Sequence, residues 1–103
     1  MTILIALLTI AGAGYYFFVF RTSVRWNADP RQQELAQMLM RTAGYDGHYI
    51  RDQDILSYVS LHGWPSGEAR RRVAHAGSIA KFEATPAVYA DVKRSVVRIR
   101  RGL

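Results

Sequence analysis

Three histidines, His48, His62 and His75, are the only imidazoles in the chain. No two of them form an HExxH pair or stand at i, i+4 with a carboxylate placed for zinc. His62 falls on an apolar helix face, where a packed or helix-end role is the ordinary one. With no cysteine, the chain has neither a thiolate metal site nor a disulfide framework, which suits a reducing compartment. Ser57, Ser60, Ser66 and Ser78 lack the strand-turn-helix context of a nucleophile elbow, and no glycine-rich loop has phosphate-cradling spacing. Asp52 and Asp54 are adjacent carboxylates, but a helix start explains them, since negative charge is favoured at the positive end of the helix dipole. The stretch 42–53 lacks the oxygen ligands and closing Glu of a calcium loop: Thr42 and Gly44 hold early ligand positions and Gln53 stands where Glu is needed. The expectation is a non-enzyme, with no catalytic residue, cofactor, metal or small-molecule substrate.

What chemistry remains is that of arginine. The net charge is +6, and twelve of the fourteen basic residues are Arg, Lys81 and Lys93 being the exceptions. Guanidinium groups suit bidentate contacts with phosphate or carboxylate, although such a ratio also arises in a GC-rich genome. A basic surface is expected from Arg70, Arg71 and Arg72 on one helix and Arg94, Arg98, Arg100 and Arg101 on another. Two helices over 52–62 and 67–82, joined through Gly63-Trp64-Pro65, have the outline of a helix-turn-helix. Pro65 in the turn and the few amide side chains after it argue against base reading. Nucleic-acid contact would instead be phosphate-based and sequence-independent.

These residues are positioned by a chain whose layout is set at its start. Residues 2–20, TILIALLTIAGAGYYFFVF, contain no charge and no proline. As a helix they reach about 28 Å, close to the hydrocarbon thickness of a bilayer. A charge at mid-membrane would cost about 3 kcal/mol, and none is present. A transmembrane signal-anchor helix is expected over 1–21, with a juxtamembrane connector over 22–28. Ala11-Gly12-Ala13 resembles a signal-peptidase site, but Tyr15, Tyr16, Phe17, Phe18 and Phe20 extend the apolar run beyond the short core of a cleaved signal. Arg21, Arg25 and Arg31 follow the span, so the rest of the chain is expected on the cytoplasmic side: inner membrane in a bacterium, interior-facing in a virion. Trp26 and the tyrosines fit the interface. Thr2, Ala6, Thr9 and Ala13 form a stripe of small side chains along which a partner helix could approach.

Residues 29–103 leave room for one small helical domain, whose core is marginal by size. Asp29 caps a first helix, Pro30 takes its first position and Gln32 has capping-box spacing. Leu35, Met38 and Leu39 mark its apolar face, Met38 and Met40 read as gap-fillers, and Gly44 stops it. Asp46-Gly47 predicts a turn. Followed by the acidic helix start, this turn resembles small tellurite-resistance-type helical domains over a short stretch that carries no function across. Ile55, Val59 and His62 share the face of a second helix. Ser66 caps a third, whose packed side is Ala69, Val73, Ala76 and Ala80. Thr85-Pro86 opens a fourth, in which Val88, Val92, Val96 and Ile99 fall in one narrow arc, a docking face for the core or for a partner.

The fold class expected is thus all-α: one N-terminal transmembrane helix and a basic cytoplasmic domain of four short helices. Three functions fit. The first is a structural or accessory subunit of a larger membrane assembly, with other membrane-protein subunits as partners. The second is a membrane-tethered nucleic-acid-binding protein, such as an internal membrane protein of a virion. The third is a small regulatory protein whose last helix meets anionic lipid headgroups.

Overall fold

The computed structural model describes residues 2–45 and 47–103, with the side chain of Val19 left aside. Among the described residues there are five α-helices and no strand. They are α1 (Thr2–Asn27), α2 (Pro30–Thr42), α3 (Asp52–Leu61), α4 (Ser66–Glu83) and α5 (Pro86–Gly102). Helices α2 to α5 close on one core, while most of α1 projects from them along the 56 Å long axis of the molecule.

The helix boundaries follow local chemistry. At α2 the Asp29 carboxylate accepts from the Arg31 amide at 3.0 Å, and Pro30 fills the position whose N–H would be orphaned. At α5 the Thr85 hydroxyl oxygen accepts from the Val88 amide at 3.4 Å, again ahead of a proline. Asp54 closes the start of α3 by accepting from the Arg51 amide at 3.1 Å. Gly44 and Gly63 follow α2 and α3 with φ of 85° and 65°, the left-handed conformation in which a Cβ is penalised. The turn expected at Asp46-Gly47 lies partly outside the described residues, since Asp46 is not among them.

Residues 22–27, the juxtamembrane segment, are helical: α1 continues through them without a break, because no proline or glycine interrupts the chain between Gly14 and Pro30. Two local expectations are corrected. Gln32 does not complete a capping box. Its side chain is fully buried, and its Nε2 donates to the Arg72 carbonyl of α4 at 2.8 Å. Ser66 is not the cap of α4 but lies in its first turn, with Pro65 in the cap position. The Pro65 carbonyl accepts from the Ala69 amide at 2.8 Å.

Helix α2 lies at the centre and packs on α4, α5 and α3. It supplies Leu35, Leu39 and Met40, all fully buried, and α3 adds Ile55 and Val59. The α4 face is small, with Ala69, Val73, Ala76 and Ala80 inward, so neighbouring backbones come close. Closest is α5 at Gly77, where an added Cβ would lie 2.9 Å from Val96 Cγ2. Because valine is stiff at χ1, it cannot swing aside, and only glycine fits there. The apolar arc of α5 is spent inside the chain: Val92, Val96 and Ile99 are buried and Val88 is packed at the margin.

Candidate functional site

Where α1 ends, side chains from α1, the cap of α2 and the α3–α4 turn converge on one arginine of α4. Sequence places Arg72 on the basic surface, and the structure overturns this: it is 7 % exposed. The spacing explains why. Arg72 is three residues after Ala69 and four before Ala76, so it lies on the packed face of α4. Its Nε donates to Glu68 at 3.1 Å and its Nη1 to Asp29 at 3.1 Å. Its guanidinium carbon lies 4.3 Å from the Trp64 ring centroid and 5.4 Å from that of Trp26. A guanidinium is planar and weakly hydrated, so it can bond carboxylates in its plane and meet rings on its faces.

The surrounding groups complete the junction. Arg31 forms a two-point pair with Asp29 at 2.9 and 3.1 Å and also lies near Trp64. Trp64 stacks on His62 with centroids 5.2 Å apart, and His62 meets the edge of Tyr58 at 4.3 Å. The Tyr58 hydroxyl donates to Glu34 at 2.9 Å. Burial, with that neighbouring carboxylate, pushes the phenol up to about 12. On the other side His75 meets Trp26 edge-on at 5.3 Å, and its Nε2 lies 2.7 Å from Asn27 Oδ1. Trp26 and Asn27 belong to the last turn of α1, so these contacts join the apolar helix to the bundle.

Two titrations report on the junction. Hydrogen bonding to Arg31 first, and then to Arg72, holds the Asp29 carboxyl well below the usual carboxylate range against the effect of burial. Burial, with Arg72 nearby, pulls His75 below its ordinary value of 6.5. Both folded values lie below the unfolded ones, so both contributions to stability are present at neutral pH and are lost on acidification. The His75 contribution is expected to fade as pH falls below 6.5, and that of Asp29 as it falls below 3.8. Urea midpoints measured from neutral pH downward should decline in these two stages, and His75→Gln should flatten the upper one. A midpoint constant down to the carboxylate range would refute the assignment.

The other arginines divide by partner. Arg94 pairs with Asp91 within α5, and Arg98 donates to Asp52 at 2.9 Å and to Ser95 at 3.0 Å, tying α5 to the start of α3. Arg70, Arg100 and Arg101 are exposed and line one shallow crevice with Val97. Arg71 is exposed on the face of α4 toward α1. The expected basic surface is therefore Arg70, Arg71, Arg94, Arg98, Arg100 and Arg101, without Arg72. Helix α3 packs on α5 and α2, and a buried Arg72 cannot enter a nucleic-acid groove. Among the described residues no group of three or more His, Asp or Glu is placed to hold a metal ion.

A small cleft opens beside the junction, between the last turns of α1 and the outer face of α4. It has a volume of about 350 Å³ and is walled by Phe18, Ser23 and Trp26 on one side and by Arg71, Ala74 and His75 on the other. Sequence reading missed both this cleft and the Arg72 junction. Only the i, i+4 spacing of Glu68 and Arg72 carried a signal. Comparisons with protein-family models, with curated proteins and with solved structures find no match to this chain.

Proposed function

We propose that this chain is a non-catalytic, single-pass membrane protein whose helical domain serves as an accessory subunit of a larger membrane assembly. The observation that supports this reading most directly is α1. It is long and apolar enough to cross a membrane, and Leu4, Leu8 and Phe18 are 62 to 69 % exposed along it. Apolar area left in water is unfavourable by about 25 cal/mol per Å², a cost that hydrocarbon or a partner helix removes. Arg21, Arg25 and Arg31 after the span favour a cytoplasmic domain.

The stripe of Thr2, Ala6, Thr9 and Ala13 is exposed along the same helix. The Thr9 hydroxyl donates to the Ile5 carbonyl at 2.8 Å, which folds it against its own backbone. A partner helix can therefore approach this stripe closely, where packing rather than hydrophobicity drives association. Ala6→Leu with Ala13→Leu is expected to leave membrane integration intact and to lose co-purifying subunits. A reporter joined after Leu103 should be active only in its cytoplasmic form. Equal recovery of partners by the double variant, or periplasmic reporter activity, would overturn the reading.

One observation favours a second reading, in which the domain tethers nucleic acid to the membrane. Arg70, Arg100 and Arg101 share a crevice of about 270 Å³ that no acidic residue lines. That reading requires binding that weakens steeply with salt and disappears when these three become Gln.

A further inference from the structure

We infer that the cleft between α1 and α4 holds the headgroup of one anionic phospholipid, with its acyl chain along Phe18. This rests on the reading of α1 as a membrane helix. If residues 2–20 span the hydrocarbon, Phe18 lies in its outer layer and Thr22 to Trp26 at headgroup level. Phe18 and, from the headgroup level, Ser23 and Trp26 all line the cleft, so its α1 wall crosses that boundary.

Its walls match the two ends of a phospholipid. The apolar end is aromatic. At the polar end the Thr22 hydroxyl is turned onto the Phe18 carbonyl at 2.9 Å, while Ser23 faces the cleft. Arg71 supplies the cation. An adjoining crevice of about 230 Å³ shares Phe18 and Thr22 with the cleft and is lined also by Arg21 and Arg25, so two further cations border the neighbouring space. No acidic residue lines either space. Asp29 and Glu68 lie nearby, but Arg31 and Arg72 already engage them. His75 is held toward its neutral form, so the positive charge of the site belongs to arginine and persists across physiological pH. A soluble acidic peptide or a nucleic acid would have no use for a wall that lies in hydrocarbon.

The test uses the full chain in nanodiscs of equal phosphatidylcholine and phosphatidylglycerol, released gently and weighed by native mass spectrometry. Wild type should retain one phosphatidylglycerol in preference to phosphatidylcholine. Removing one interfacial cation by Arg71→Gln should reduce that preference about fivefold, and Arg71→Lys should restore part of it. Arg101→Gln, on α5, should leave it unchanged. Ala74→Trp keeps every charge but fills the cleft, and should abolish retention. Equal retention of the two lipids, or loss with Arg71→Gln but not with Ala74→Trp, overturns the site in favour of diffuse attraction. Displacement by soluble glycerol phosphate, or a lipid-free dimer as the main species, overturns it too. Alkaline extraction of the same membranes reads the spanning separately. A chain that resists extraction without lipid preference refutes the lipid site alone, whereas a stripped chain refutes the membrane helix and the site with it.

Discussion

Val92→Asp combined with Val96→Asp is expected to unfold the helical domain. Val92 is fully buried and Val96 is 9 % exposed, both in the seam where α5 meets α2 and α4. Burying a valine stabilises by about 1.5–3 kcal/mol, and both contributions are lost. Each carboxylate must then be desolvated, or its proton retained, at a further cost of several kcal/mol. The sum approaches the whole stability of a small domain, about 5–15 kcal/mol. Circular dichroism in detergent should show loss of the signal from residues 30–102 with α1 retained, and proteolysis should cut throughout α2 to α5. The contrasting variant changes Arg98, Arg100 and Arg101 to Gln together. Arg98 is 60 % exposed in its pair with Asp52, and such exposed pairs contribute at most about 1 kcal/mol. That triple variant should keep its fold. A folded, protease-resistant Asp double variant would mean that α5 does not form part of the core.

Arg72→Leu is expected to lower stability by about 3 kcal/mol, because removing one member of a buried ionic cluster strands its partners. Asp29 would keep Arg31, but Glu68 would lose its cation. The joint between α1 and the bundle should loosen at the same time. Only two tryptophans exist in the chain, and both meet this guanidinium, so intrinsic fluorescence reports on the site directly. Arg72→Leu should shift both the emission and the urea midpoint. Arg72→Lys should fall between, since an ammonium keeps the charge but not the planar fork. Arg70→Gln, two residues away and exposed, should stay within about 0.5 kcal/mol of wild type. Equal midpoints for Arg72→Leu and wild type would show that the cluster is incidental to the fold.

Both expectations turn on side chains whose surroundings differ in how far local pattern reveals them. The arc of Val92, Val96 and Ile99 repeats with the helical period, and Thr85-Pro86 announces where its helix begins. Asp29-Pro30 does the same for α2, and the uncharged run of 2–20 defines the apolar part of α1. Caps, prolines and periodicity act within a turn or two of the chain, so the sequence carries them whole. That α5 turns its arc inward onto α2 and α4, rather than toward a partner, required the tertiary structure. So did the fate of Arg72, Gln32 and residues 22–27. Among the arginines of α4, Arg72 differs from Arg70 and Arg71 chiefly in the angle at which it leaves the helix. Only the arrival of Trp26, Asp29 and Trp64 from three other segments gives that angle a charged and aromatic enclosure. Gln32 likewise had a local partner within reach, its own N-cap, and a distant one in the Arg72 carbonyl. The two would use different atoms. The cap needs Oε1 to accept from the Asp29 amide, but that amide donates to the Trp26 carbonyl at 3.0 Å. Packing α2 on α4 meanwhile buries Nε2 against the Arg72 carbonyl, where a donor without an acceptor is costly.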